Sequence, residues 1–144
     1  MAFTGNYACN TFKTGLPSGT FSISTASTNL YISLYTNGAT LNADTAGYTS
    51  SGEVPNTTGY SAFGQALVVT ANPTTGTSNT AYFSFANAVW TSALTARGAL
   101  IYLRDNVTNP AICVLDFGAD KTSTATFTVQ FPSPDSTSAI IRIA

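Results

Sequence analysis

A chain of 144 residues has the length of one domain, and at that size it buries roughly 68–70% of its unfolded surface with no need of a metal or disulfide. Only 8% of residues are charged, the net charge is −1, and the five basic residues Lys13, Arg97, Arg104, Lys121 and Arg142 are scattered, which excludes the basic cluster on which nucleic-acid affinity depends. Polarity rests on 25 Thr and 15 Ser beside 44% hydrophobic residues, a pattern that excludes a disordered chain and suits strands with an uncharged, hydroxyl-rich solvent face.

The opening Met1-Ala-Phe-Thr-Gly5 has no basic stretch followed by an apolar core, so no secretory signal is expected. Residues 1–29 are polar and punctuated by Gly5, Gly15, Pro17 and Gly19, which reads as an irregular amino-terminal arm. One helical turn capped by Asn10 fits the stretch Cys9–Thr14. Leu30–Tyr35 is the first clear strand, with Leu30, Ile32 and Leu34 on one face and Tyr31, Ser33 and Tyr35 on the other. Asn37-Gly38 marks a tight turn. The Gly/Thr/Ser/Asn-rich residues 36–62 form a loop long enough to be a contact surface.

Phe63–Thr70 reads as a strand and Asn72–Gly76 as a turn. Thr80–Phe85 alternates, with Ala81, Phe83 and Phe85 sharing a face, and Asn87–Leu94 bridges onward. Thr95–Tyr102, Ala111–Gly118 and Ala139–Ala144 read as buried strands. Between the last two, Thr124–Phe131 alternates strictly, with Phe127, Val129 and Phe131 inward. Seven or eight short strands at turn-like spacing predict an all-β, antiparallel β-sandwich over 30–144, of jelly-roll or immunoglobulin-like topology.

The chain contains no histidine, which removes Ser-His-Asp and Cys-His catalysis and the common zinc sites. Asp116 and Asp120 are a carboxylate pair by spacing, but nothing implies the cleft that glycoside hydrolysis needs. Ion pairing of either with Lys121, Arg97 or Arg104 is the expectation. Asp44, Glu53, Asp105 and Asn106 lie in loops without calcium-binding spacing. Asp116-Phe117-Gly118 stands apart from any other kinase signature and reads as a strand end with Gly118 turning the chain. Two sequons, Asn56-Thr-Thr58 and Asn106-Val-Thr108, are expected by chance in so Thr-rich a chain. Cys113 reads as a small buried hydrophobe and Cys9 as exposed; a disulfide between them is not expected. Tyr31, Tyr35, Tyr48, Tyr60 and Trp90 suit a core or an interface better than a sugar-binding face.

The strings Thr95-Ala-Arg-Gly-Ala-Leu-Ile-Tyr102, Val114-Leu-Asp-Phe-Gly-Ala-Asp-Lys-Thr-Ser123 and Ala139-Ile-Ile-Arg-Ile-Ala144 stand with Thr11-Phe-Lys13, Leu34-Tyr35-Thr36 and Gly59-Tyr60. In these the chain resembles a family of small structural proteins of tailed bacteriophages, over nearly its whole length. It departs from that family at Leu16-Pro17-Ser18-Gly19, where a longer helical segment is expected. The resemblance implies a virion component, assembled in the host cytoplasm, with no catalytic residues and no cofactor. A capsid decoration (cement) protein contacting the major capsid protein or other virion proteins is the leading expectation, as a homotrimer by the symmetry such shells offer. Alternatives are a tail, neck or fibre-associated protein, or a carbohydrate-binding sandwich; an enzyme, a nucleic-acid binder or a membrane protein is not expected. Phe3, Tyr7, Phe12, Tyr48 and Tyr60, in the arm and the loop, are the interface candidates.

Overall fold

The computed structural model describes residues 3–144 and is built almost wholly from antiparallel β-structure. In chain order its elements are β1 (Tyr7–Ala8), α1 (Asn10–Gly15), β2 (Leu30–Tyr35), β3 (Gln65–Ala66), β4 (Val69–Thr75), β5 (Ala81–Phe85), β6 (Ala88–Trp90), β7 (Thr95–Leu103), β8 (Ala111–Thr122), β9 (Phe127–Val129) and β10 (Ile141–Ile143). They form a five-stranded sheet in the order β1-β8-β7-β2-β3, a three-stranded sheet β10-β5-β4 and a two-stranded sheet β6-β9.

The near-continuous apolar runs of β7 and β8 are explained by burial on both faces of the five-stranded sheet. Side chains alternate along a strand, and β2 divides accordingly: Leu30, Ile32 and Leu34 enter one core, while Tyr35 and Tyr31 join another. The larger core gathers Ile101, Leu103, Ile112 and Leu115 with Phe83, Phe85, Trp90, Phe127 and Val129 from the two smaller sheets, and Phe131 just past β9. The second core holds Phe3, Cys9, Ala39, Leu41, Leu100, Tyr102, Ala111 and Val114. An extra residue in β8 between the pairs Ile101↔Cys113 and Tyr102↔Ala111 explains why adjacent Ile112 and Cys113 face the same core.

The described part of the expected arm, residues 3–29, is built into the domain. β1 pairs with β8, Phe12 packs edge-on to Phe21 at 5.2 Å and to Phe83 at 6.3 Å, and Phe3, Cys9, Phe12 and Phe21 are all buried. Apolar residues spaced too irregularly to read as an element still bury area. The cap of α1 also differs from expectation. Cys9 occupies the N-cap without a side-chain bond, and Asn10, inside the helix, donates from Nδ2 to Asp44 at 2.7 Å, tying the segment to the long loop. Both cysteines are free and buried, and burial pushes the Cys9 thiol up to about 11.

Three further boundaries moved. The strand expected over Phe63–Thr70 is split between two sheets: Phe63 and Gly64 form a turn at positive φ (74° and 68°), Gln65–Ala66 pairs with β2, and the chain crosses at 67–68 to pair with β5 from Val69 onward. The turn expected at Asn72–Gly76 is largely strand: Pro73 lies in β4, an edge strand, within the register shift between Ala71 and Thr74, where its missing N–H breaks no central ladder. The expected bridge after Asn87 contains β6, paired to β9 through Ala88↔Val129 and Trp90↔Phe127.

Candidate functional site

The outer face of the five-stranded sheet carries an aromatic cluster assembled from three distant segments. Cross-strand pairing sets Tyr31 of β2 opposite Tyr102 of β7, their ring centroids 6.2 Å apart. Arg104, one residue past β7, is fixed by its backbone N–H bonding the Asn29 carbonyl at 2.7 Å. The long loop delivers Tyr48, whose N–H bonds the Asn109 carbonyl at 2.9 Å and whose ring lies 5.2 Å from Tyr102. Gly47 allows that approach, since a Cβ there would stand 2.6 Å from the Thr108 carbonyl oxygen.

Phe63 completes the cluster and is its strained member. A φ of 74° is a genuine outlier for a bulky side chain, and such conformations persist where surrounding structure over-determines them. Here the Phe63 N–H donates to Glu53 Oε1 at 2.9 Å, its carbonyl accepts from the Tyr102 hydroxyl at 2.8 Å, and its ring stacks on Tyr48 at 4.5 Å. The next residue must be glycine, because a Cβ on Gly64 would fall 1.8 Å from the Ile32 carbonyl oxygen.

Beneath the rings, Glu53 locks the loop to the sheet. Its Oε2 accepts from the Tyr48 hydroxyl at 2.5 Å, and its Oε1 accepts from the Tyr60 hydroxyl and the Phe63 N–H, both at 2.9 Å. The Tyr60 hydroxyl in turn accepts from the Leu34 N–H at 2.8 Å. Desolvation raises the Glu53 carboxyl above its ordinary value against the opposing pull of these hydrogen bonds. Burial raises the Tyr60 phenol, and the Glu53 charge adds to the rise. Tyr48 rises for the same first reason, with its bond to Glu53 adding to it. Both phenols therefore remain donors, and every donor aimed at Glu53 is engaged, which suits a structural tie rather than a base.

Arg104 contrasts with that closed network. Its guanidinium lies 4.8 Å from the Tyr31 ring centroid and 4.6 Å from that of Phe63. Among the described residues the one ion pair is Arg97–Asp116 at 3.0 Å, so Arg104 has no carboxylate partner, and it keeps part of its surface in solvent.

The structure brings together only part of the expected interface set. Tyr48 lies in the cluster and stays half-buried; Tyr60 lies beneath it, fully buried on Glu53. Tyr7 is half-buried elsewhere, its hydroxyl 2.7 Å from that of Thr4. Phe3 and Phe12 are core residues of their own chain, and a Cβ on Gly98 would meet the Phe3 ring at 2.4 Å. Trp90 is likewise buried, edge-on to Phe127. Phe63, Tyr102 and Arg104 were not expected: the first lay in a presumed strand, the second in a run read as core, the third among scattered charges. The one available signal was Phe63-Gly64 at a junction, which suggests a turn.

Three further acids have local structural roles. Asp116 takes the expected partner Arg97 and also accepts from the N–H of Gly118; the strand end expected at Gly118 is not there, because β8 runs on to Thr122 and Gly118, with φ of 79°, sits in the register shift between Gly98↔Asp116 and Ala96↔Lys121. Backbone N–H groups of Asn109 and Val107 draw the Asp105 carboxyl down to about 2 and stiffen the loop after Arg104. Asp44 is bonded to Asn10. Among the described residues no three His, Cys, Asp or Glu side chains gather as a metal site, and no helix is long and apolar enough to cross a membrane. Compared with protein-family models, curated proteins and solved structures, the chain matches none.

Proposed function

We propose that this chain is a structural protein of a tailed-bacteriophage virion, a capsid decoration protein that stabilises the shell through contacts between subunits. The observation that carries the reading is the Tyr31–Tyr48–Phe63–Arg104 surface, locked onto the sheet, with an arginine that meets two rings but no carboxylate among the described residues. Tyr and Arg are the residues that anchor protein interfaces. Three residues further along, Val107 is 83% exposed on the loop that Asp105 stiffens, an apolar contact beside a charged one. The resemblance to small phage structural proteins supports the same class. We read the five-stranded and three-stranded sheets, which share the larger core, as two layers of a β-sandwich. A homotrimer on the major capsid protein would multiply weak contacts by presenting several surfaces at once.

The decisive experiment is the copy number of this chain per purified particle, by quantitative mass spectrometry against the major capsid protein. Hundreds of copies are expected. A dozen or so moves the protein to the tail, neck or fibre, and absence from the particle overturns the virion reading.

One observation favours a carbohydrate-binding module instead: the partly exposed aromatics Tyr31, Tyr48 and Phe63 do group on one face. Yet Phe63 is covered by Tyr48 and Arg104, and Tyr31 by Arg104, so the ring surfaces a sugar would stack on are occupied. Glycan-array binding lost on Tyr31→Ala would favour that module over the decoration protein.

A further inference from the structure

Arg97, near the start of β7, and Arg104, one residue past its end, meet different fates. Arg97 is spent internally, its guanidinium 3.0 Å from Asp116. Arg104 is held over two rings, its Cζ 4.8 Å from the Tyr31 centroid and 4.6 Å from that of Phe63, contacts that attract the cation without supplying an acceptor oxygen for its N–H groups. Its position is prepaid in structure: the backbone is bonded to Asn29, and Phe63 is held in a strained conformation by Glu53 and Tyr102. The nearby carboxylates are engaged elsewhere. Glu53 is saturated by Tyr48, Tyr60 and the Phe63 N–H, and Asp105 is turned into its own loop by Val107, Thr108 and Asn109.

We infer that Arg104, oriented by Tyr31 and Phe63, is the anchor for a carboxylate side chain presented by a partner protein. The inference deepens the interface reading above and rests on it. A guanidinium with no internal carboxylate among the described residues matches one in charge and in planar, two-pronged geometry. A single arginine on a chain of net charge −1 does not suit a polyphosphate backbone. Val107, exposed on the adjoining loop, supplies the apolar contact that would exclude water from such a pair.

The test uses the isotope-labelled chain and two blocked amino acids as probes, N-acetyl-glutamate amide and N-acetyl-glutamine amide, with inorganic phosphate as a third, at constant ionic strength. The Arg104 Nε–H resonance should shift saturably with the glutamate probe and not with the glutamine probe, while Arg97 and Arg142 stay still. No saturable shift, an equal response at all three arginines, or a stronger response to phosphate overturns the assignment. Arg104→Lys keeps the charge but loses the planar fork, and should weaken glutamate binding about tenfold or more. Phe63→Leu should weaken it by a smaller factor with the far-ultraviolet circular dichroism unchanged. Sedimentation of the wild type and Arg104→Gln separates the sources of the carboxylate: self-association lost in the variant makes the occupant a second copy and overturns a distinct partner. Failure of the virion reading is separable, since a positive titration by a chain absent from particles leaves the arginine site standing. Conversely, an Arg104→Gln chain held on particles as tightly as wild type overturns the anchor and leaves the virion reading intact.

Discussion

The two faces of the five-stranded sheet are both covered, by opposite means. On one face β2, β7 and β8 meet strands of the other two sheets through an apolar core with Trp90, Phe127 and Phe131. On the other face the cover is largely irregular backbone, residues 3–9 and the loop 36–62, held by phenol hydroxyls, one carboxylate and a pair of close glycine approaches. Non-directional burial makes the first face tolerant of detail and costly to hollow out. Directional bonds make the second cheap to loosen and able to hold side chains, such as Arg104, in positions that packing alone would not select.

The sharpest way to break the first face is Phe127→Ala. Phe127 is buried against Trp90 and Phe117, and its loss should cost about 3–5 kcal/mol through the cavity left behind, measured by chemical denaturation. A change under about 1 kcal/mol would mean that the core collapses freely around β9. Among the directional bonds that tie the second face down, the largest expected effect comes from Tyr60→Phe, which keeps the ring, packed beside Trp90 in the first core, and removes the one oxygen that reaches Glu53. That oxygen serves the Leu34 N–H and Glu53 together, so roughly 1–3 kcal/mol is expected from the donor left buried. Hydrogen exchange at Leu34 should quicken with it; unchanged protection would show that the hydroxyl is dispensable.

How far each face was legible in the sequence follows from the same difference. Alternation in β2, β5 and β9 is a local consequence of burial, so Leu30, Ile32, Leu34, Phe83, Phe85, Phe127 and Val129 were readable one strand at a time. The second face depends on where a loop returns. Nothing local in Glu53 reveals Tyr48, Tyr60 and the Phe63 N–H as its donors, and nothing in Arg104 reveals Tyr31 and Phe63 beneath it. Polar spacing made the amino-terminal segment look like an arm, although Phe3, Cys9 and Phe12 each find a core position.

A pH titration separates the faces without hollowing either. Burial raises the folded-state Glu53 carboxyl above the unfolded value of roughly 4.3, so the folded chain binds that proton more readily than the unfolded chain. The associated stability is fully present below the unfolded value and is lost as pH rises through the folded one. Asp105 and Asp135, whose carboxyls are drawn down by hydrogen bonds from their own loops, act oppositely and weaken the fold only as pH falls through their own lower range. Above about pH 4.5, therefore, wild type should lose stability relative to Glu53→Gln as pH rises, then run parallel to it. Denaturation midpoints that track one another from pH 4 to 8 would show that the three hydrogen bonds fully offset desolvation.

The smallest expected change in stability is the most telling about the second face. Phe63→Gly removes a whole phenyl ring, as Phe127→Ala does, yet here two effects oppose. Relief of the left-handed backbone at Phe63 returns roughly 1–2 kcal/mol. Loss of stacking on Tyr48 takes back about 0.5–1.5 kcal/mol, and the freer unfolded glycine takes roughly 0.5–1 kcal/mol more. Exposing a half-buried ring costs roughly 1 kcal/mol besides, so the net is a loss of only about 1 kcal/mol, while Arg104 loses one of its two rings and its Nε–H resonance should broaden or move toward that of a free guanidinium. A loss as large as that of Phe127→Ala would make Phe63 a packing residue like any other. A small loss with a loosened Arg104 would mean that strain at Phe63 is kept for the sake of the arginine it positions, which is what an interface anchor requires and a core does not.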